Sequence, residues 1–460
     1  MSQISPAPLA EAPADPAPTA DETPRRIVTP DSGRTRYALV GTGSRSWMFC
    51  DAIMRLYKDT AELVGLCDSN SIRLSHRNEA FRERLKHDPV PAYKPADFDR
   101  MIAEQRPQVV IVTTMDSTHH NYIIRAMELG CDVITEKPMT TDADKCQAII
   151  DTQKRTGRNV RVTFNYRYAP SRTKVKELIR AGAIGDVKSV HFEWLLDTRH
   201  GADYFRRWHR DKANSGGLMV HKSTHHFDLV NWWIDSAPVT VFGLGQLAFY
   251  GRNNAEARGD YRPYVRSTDS PEAVGDRFAL NLRDGGSLEK LYLDAEREDG
   301  YMRDQNVFGE GINIEDTMNV LVRYENGAQL SYSLTAYSPW EGFRVAFNGT
   351  RGRIELDEME KSYIAAGNGH ITDGLTTSRR LTVFPHWDKP SHIEIPEATG
   401  GHGGGDLLLL EDLFGSGARN DPLGRAAGHV DGARSILTGI AANKSFETGL
   451  PVDVRKLVRF

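Results

Sequence analysis

Apolar positions along this chain follow two rhythms, and the change from one to the other falls near residue 161. In the first part, a short apolar run from Tyr37 to Val40 leads into a glycine turn and then an amphipathic stretch from Trp47 to Tyr57, which predicts strand, loop and helix. A second run, Glu62 to Cys67, ends at Asp68 and precedes a helical stretch rich in Arg and Glu from Ile72 to Leu85. The alternation continues with a strand at Val109 to Val112, a helix at His120 to Leu129, a strand at Asp132 to Thr135 and a helix at Asp142 to Thr156. Short, wholly apolar strands separated by helices imply a parallel sheet covered on both faces.

Beyond Arg161 the strands lengthen and several alternate between apolar and polar positions. Val187 to Leu196, Val239 to Phe249, Asn319 to Tyr324, Gln329 to Thr335 and Gly342 to Phe347 are the expected members, with Glu325-Asn326-Gly327 as a hairpin turn between two of them. This predicts an α+β domain with a large, mostly antiparallel, open-faced sheet and helices on one side. Residues 251–316 are polar and rich in Gly, Asp and Arg, and read as an excursion. No internal repeat is visible. The first 35 residues, rich in Pro, Ala and acidic side chains, bury too little apolar surface to order themselves and are expected to form a disordered tail. The expected organisation is therefore a tail at 1–35, a nucleotide-binding α/β domain at 36–160 and a substrate-binding and oligomerisation domain at 161–460.

Length and composition agree with this division. A chain of 460 residues exceeds one ordinary core. A formal net charge of -4 leaves no basic excess, which argues against a nucleic-acid partner. The amino terminus lacks the apolar centre of a secretory signal, and no run approaches the roughly 18 apolar residues of a membrane span. Cys50, Cys67, Cys131 and Cys146 are widely spaced and read as free thiols. The expectation is a cytoplasmic protein without a membrane partner.

The first candidate chemistry lies in Gly41-Thr42-Gly43-Ser44-Arg45-Ser46. A Gly-x-Gly loop between strand and helix lets backbone approach a pyrophosphate, which the helix N-terminus then holds. Ser46 stands where a third glycine is usual, and glycine turns after strands are common without any ligand. Asp68, at the end of the second strand, strengthens the nucleotide reading: a carboxylate there binds both ribose hydroxyls of NAD and repels a 2′-phosphate. NAD is preferred over NADP, which nearby Arg73 keeps open.

At Thr135-Glu136-Lys137-Pro138 the chain resembles the Gfo/Idh/MocA family of sugar and inositol oxidoreductases. The supporting segment runs from Val109 through Asp142, with Met115 where proline is usual. Phe164-Asn165-Tyr166-Arg167-Tyr168, Ile184-Gly185-Asp186-Val187, Ser215-Gly216-Gly217, Thr224-His225-His226-Phe227-Asp228 and Thr448-Gly449-Leu450-Pro451-Val452 resemble further segments of that family. The resemblance implies a Rossmann domain that binds NAD. It assigns cofactor contacts to Gly41, Gly43, Ser44, Arg45 and Asp68, and to Thr113, Thr114, His119, Glu136 and Asn165. It implies that Lys137 orients a reacting hydroxyl and stabilises developing negative charge, and that Pro138 shapes the turn. His225 takes the place of the family's catalytic histidine, a general base suited to neutral pH. His221 stands where the family has an aspartate, so it either shares the base role or marks a different chemistry. Substrate contacts are expected from Arg167, Arg206, His209, His226 and His402, the last in a glycine-rich segment.

Histidines four apart on one helical turn can share a metal ion, but no carboxylate or cysteine partner accompanies His221, His225 and His226 in the sequence, and no metal is expected. The leading function is an NAD-dependent dehydrogenase acting on a secondary hydroxyl of a sugar, inositol or glycoside. The runner-up is a glycosidase that oxidises its sugar transiently, eliminates the glycosidic bond and returns the hydride. A non-enzymatic NAD-dependent regulator is disfavoured by retention of Lys137 and His225. By analogy with the family, a homodimer or homotetramer forms through the open sheet face.

Overall fold

The computed structural model describes residues 33–283, 285–364, 377–397, 401–416 and 421–460; the expected amino-terminal tail lies outside them up to residue 32. Six strands form a parallel sheet: β1 Thr35–Val40, β2 Ala61–Cys67, β3 Ala92–Tyr93, β4 Val109–Val112, β5 Asp132–Thr135 and β6 Val160–Val162. Their order is β3-β2-β1-β4-β5-β6. All of β4 is buried, as expected of a strand with helices over both faces. Local chemistry sets the helix ends. Asn70 caps the helix Ser71–Ala80 by accepting from the amides of Ile72 and Arg73, and Asp142 caps Ala143–Thr156 through Lys145 N. The chain reverses direction across the sheet between β1 and β4, so a crevice opens beyond their carboxyl ends.

The second sheet has nine strands. They are β7 Val187–Asp197, β8 Pro238–Gln246, β9 Thr317–Tyr324, β10 Gln329–Ser338, β11 Glu341–Gly349, β12 Gly352–Lys361, β13 Ser378–Pro385, β14 Ser391–Ile393 and β15 Val452–Asp453. The order is β14-β13-β12-β11-β7-β10-β9-β8-β15, and every pairing but β7 with β10 is antiparallel. The Glu325-Asn326-Gly327 turn joins β9 to β10, with Gly327 in the left-handed region at φ 82°. Along β9, Met318, Val320, Val322 and Tyr324 are buried while Leu321 faces outward. The buried face packs under the helices Thr224–Trp233 and His429–Thr448. The other face is open and carries a groove of about 870 Å³ that includes Phe242, Leu244 and Leu321.

Two features depart from the sequence reading. Strands β12 to β14 were not anticipated, although Ile354 and Leu356 alternate with charged neighbours at the two-residue period of a half-buried strand. The helix Gly405–Phe414 returns across the boundary expected at 160: Leu410 and Phe414 join the core of the first sheet, with the Phe414 ring 5.1 Å from Tyr37.

Candidate active site

The glycine loop follows β1 and is built for close backbone approach. Gly41 has φ 90°, and a Cβ on it would meet the carbonyl oxygen of Thr113 at 2.6 Å. Thr113 Oγ1 donates to the Gly41 carbonyl, and Arg77 Nη2 donates to the carbonyls of Thr42 and Gly43, fixing the loop from below. Ser46, in place of a third glycine, donates its hydroxyl to Gly43 O at 2.7 Å. Gly41→Ala is therefore expected to lower stability by about 2–3 kcal/mol and to weaken NAD binding; thermal melts with and without NAD check both effects.

Asp68 lies at the end of β2, as expected, and its carboxylate also braces the loop. Oδ2 accepts from Thr42 N at 2.6 Å and from Thr42 Oγ1 at 2.9 Å, while Oδ1 accepts from Asn70 N. Arg73, the residue that kept NADP open, is ion-paired to Asp299 at 2.6 Å. That partner comes from the polar excursion, which packs over the cleft rather than projecting into solvent. Tyr292 places its hydroxyl 3.2 Å from Ser44 N and 3.0 Å from Ser44 Oγ. Arg73 Nε donates to Leu291 O, and Asn70 Nδ2 to Ala295 O. The loop, Asp68 and the strand ends thus fit a dinucleotide: a backbone cradle that a Cβ would fill, and a carboxylate at the ribose end.

Lys137 sits on the turn after β5, and its peptide bond to Pro138 is cis. His119 holds that turn: its Nδ1 donates to Pro138 O at 2.9 Å, and Nε2 lies 3.1 Å from Thr114 O. The Lys137 ammonium donates to His221 O at 3.2 Å and faces His221 Nε2 at 3.4 Å. The other ring nitrogen of His221 donates to Asp116 Oδ2 at 2.5 Å. A carboxyl group, a histidine and a lysine therefore form a chain, and Asp116, from the loop after β4, brings to it the carboxyl group missing at position 221. Burial lowers the lysine to about 8 against the attraction of Asp116 and Glu136. Burial likewise pushes Asp116 upward, opposed by Lys137 and Arg207, and holds His221 and His209 well below the ordinary histidine range.

His221 ends the short helix Gly217–His221, which starts at Gly216 and Gly217, both with positive φ. His225 lies on the first turn of the next helix, and its ring stacks on Tyr166 with centroids 4.1 Å apart. Tyr166 is held in turn by Lys222, whose ammonium donates to the phenol at 3.1 Å. One cleft of about 660 Å³ gathers the expected Gly41, Gly43, Ser44, Arg45, Asp68, Thr113, Thr114, His119, Glu136, Lys137, Asn165, His209, His221 and His225. Arg45 pairs with Glu136 at 2.6 Å, and Asn165 Nδ2 donates at 2.6 Å to Asp406, in the first turn of the helix Gly405–Phe414.

Three expected substrate contacts are not brought to the cleft. Arg167 is fully buried against Asp228 and Asp431, at 2.5 and 2.9 Å, because a buried guanidinium requires charged partners. Arg206 turns its donors to Asp203 and the Phe278 carbonyl. His226 packs on Trp194 and bonds through Nδ1 to the Tyr332 hydroxyl at 2.6 Å, beneath the second sheet. The side chain of His402 lies outside the described residues. Sequence reasoning gave no role to Asp116 or Tyr292, and in the donor- and aromatic-rich run 198–210 it singled out Arg206 and His209 over Arg207 and Trp208; Asp116, Arg207, Trp208 and Tyr292 all line the cleft. Asp116 had a readable signal, since it lies in the loop after β4, beside the point where the sheet order reverses.

A doubly wound domain with a dinucleotide loop, whose strand ends share a lysine–histidine cleft with helices and loops of a domain built on an open-faced sheet, defines an NAD-binding oxidoreductase. Residues 35–164 match the model "Oxidoreductase family, NAD-binding Rossmann fold", and residues 176–454 match "Oxidoreductase family, C-terminal alpha/beta domain". The chain belongs to the Gfo/Idh/MocA oxidoreductase family. YteT of Bacillus subtilis, which is named as an oxidoreductase, is 37% identical over 435 residues, covering 91% of this chain and 97% of that protein. The glycosyl hydrolase family 109 protein 2 of Akkermansia muciniphila is 22% identical over 462 residues, covering 97% and 88%. The crystal structure of aldose-aldose oxidoreductase from Caulobacter crescentus, complexed with glycerol, shares the fold with a TM-score of 0.57 at 18% identity, covering 91% of this chain and 99% of that one. Among the described residues, no helix is long and apolar enough to cross a membrane.

Proposed function

We propose that this protein is an NAD-dependent dehydrogenase acting on a secondary hydroxyl of a sugar, inositol or glycoside. The observation that carries the reading is the Asp116–His221–Lys137 chain, which ends in the same cleft as the glycine loop, Asp68 and His225. NAD, when bound, supplies the hydride acceptor. The protonated Lys137 orients the substrate hydroxyl and stabilises the charge that develops on its oxygen. His225, which lines the same cleft, takes the hydroxyl proton. His221 positions Lys137 and links it to the Asp116 carboxylate. Preference for NAD over NADP is supported by Asp68 and by the ion pair that ties Arg73 to Asp299. Self-association through the open sheet face is supported by its groove and by exposed Leu244 and Leu321.

The test is NADH formation at 340 nm with a panel of sugars, inositols and glycosides. Steady accumulation with at least one polyol is expected. Cleavage of a nitrophenyl glycoside without accumulation of free NADH would overturn the dehydrogenase reading in favour of redox-neutral hydrolysis.

A further inference from the structure

We infer that Arg207 forms an anion subsite in this cleft and that the substrate carries a carboxylate, as a uronate, an aldonate or a glycosiduronate. The inference takes its reaction from the proposed function, while the binding it asserts stands apart from that reaction.

The argument begins with a charge imbalance. Asp203 alone anchors three guanidinium groups: Arg206 Nη1 at 3.2 Å, Arg207 Nη1 at 3.1 Å and Arg303 Nη2 at 2.8 Å. One carboxylate offsets one of these charges and leaves two. Arg206 and Arg303 are both under 10% exposed, so solvent does little to screen the excess. Buried cationic groups without counter-charge are costly, and the cost is relieved by an anionic ligand. Arg207 Nε and Arg303 Nη1 are buried and have no hydrogen-bond partner among the described residues. They are donors of the kind a carboxylate satisfies.

Of the three arginines, Arg207 alone is part of the cleft wall, together with Lys137, His209 and His221. Neighbouring carboxylates are engaged elsewhere. Glu136 holds Arg45, Asp299 holds Arg73 and Asp68 holds Thr42, while Asp116, which does feel the charge of Arg207, is shared with His221 and Lys137. Trp208 and Tyr301 line the same cleft. Asp116, His209 and His221 also bring three ligand-type atoms within 4.8 Å of one another. A dication there would lie against Lys137, 3.4 Å from His221, and near Arg207, so the surroundings favour an anion over a metal.

A guanidinium in this cleft could instead meet the diphosphate of NAD, and the experiment separates the two anions. Galacturonate and galactose, then glucuronate and glucose, as methyl glycosides, differ only in carboxylate against hydroxymethyl. Their binding to the NAD-loaded protein is measured by calorimetry, and their oxidation by NADH formation. The uronate is expected to bind at least about tenfold more tightly. Arg207→Met is expected to abolish that preference, costing the uronate far more affinity than the neutral sugar or NAD, and Arg207→Lys to retain part of it. Asp203 keeps Arg206 and Arg303 in both variants, and a thermal melt verifies the fold.

Equal binding of the paired glycosides, binding of neither, or a loss of NAD affinity in Arg207→Met that matches the loss for uronate overturns the inference. Selective uronate binding without hydride transfer would sink the proposed reaction and leave the subsite standing. Oxidation of neutral sugars without preference would do the reverse.

Discussion

Replacing Lys137 with methionine is expected to reduce kcat/KM for polyol oxidation by about 10³-fold while leaving NAD affinity and the melting temperature nearly unchanged. The side chain keeps its length and its apolar stem, so the turn before Pro138 retains its packing. What disappears is a half-buried ammonium that donates to His221 O at 3.2 Å and faces its ring nitrogen at 3.4 Å. In a cleft shielded from water, such a charge acts on developing negative charge with far greater effect than in solution, and removal of one donor of this kind costs about 10²–10³ in rate. Loss of hydroxyl orientation adds to that figure. Steady-state kinetics together with NAD titration provide the measurement. A loss below tenfold, or one seen in KM alone, would show that Lys137 only binds substrate and takes no part in the transition state.

The parts of this site that are contiguous in sequence were legible there. The glycine loop, Asp68 and Glu136-Lys137-Pro138 each sit at the end of an apolar strand, where the topology of a doubly wound sheet puts its ligands. Pairings across the chain were not legible. Asp116 and His221 are separated by 105 residues, so the sequence registered the absence of an aspartate at 221 without showing that a carboxylate reaches the same histidine from β4. Polar residues inside motifs were misread for a related reason. Arg167 and His226 fall within the recognised segments, yet one neutralises Asp228 and the other bonds Tyr332, and no periodicity distinguishes a side chain aimed at a ligand from one aimed at a buried partner. The excursion at 251–316 lacks apolar rhythm because side-chain hydrogen bonds such as Asn70 to Ala295 O hold it to the first domain.

Asp116→Asn is expected to lower activity by about 10²-fold at pH 8 and to move its alkaline limit to lower pH. The amide has the shape of the carboxylate and can still accept from His221 Nδ1, so the hydrogen bond survives and only the charge is lost. In the native protein, burial depresses Lys137 to about 8, while the Asp116 carboxylate pulls it upward. The active form carries the proton on Lys137; activity is therefore full below that value on the alkaline side and falls as pH rises through it. Removing the carboxylate removes an upward pull, so the lysine loses its proton earlier. A close opposite charge in such a site is worth about one pH unit or more, which sets the displacement to look for. The rest of the loss comes from His221, whose Nδ1 then donates to a weaker, uncharged acceptor and holds the ring beside Lys137 less firmly. The measurement is kcat/KM for a neutral polyol between pH 6 and 10, a substrate chosen so that its own charge does not titrate. An alkaline limb that stays in place, or moves upward, would mean that Asp116 does not act on Lys137 and that the chain through His221 is only structural.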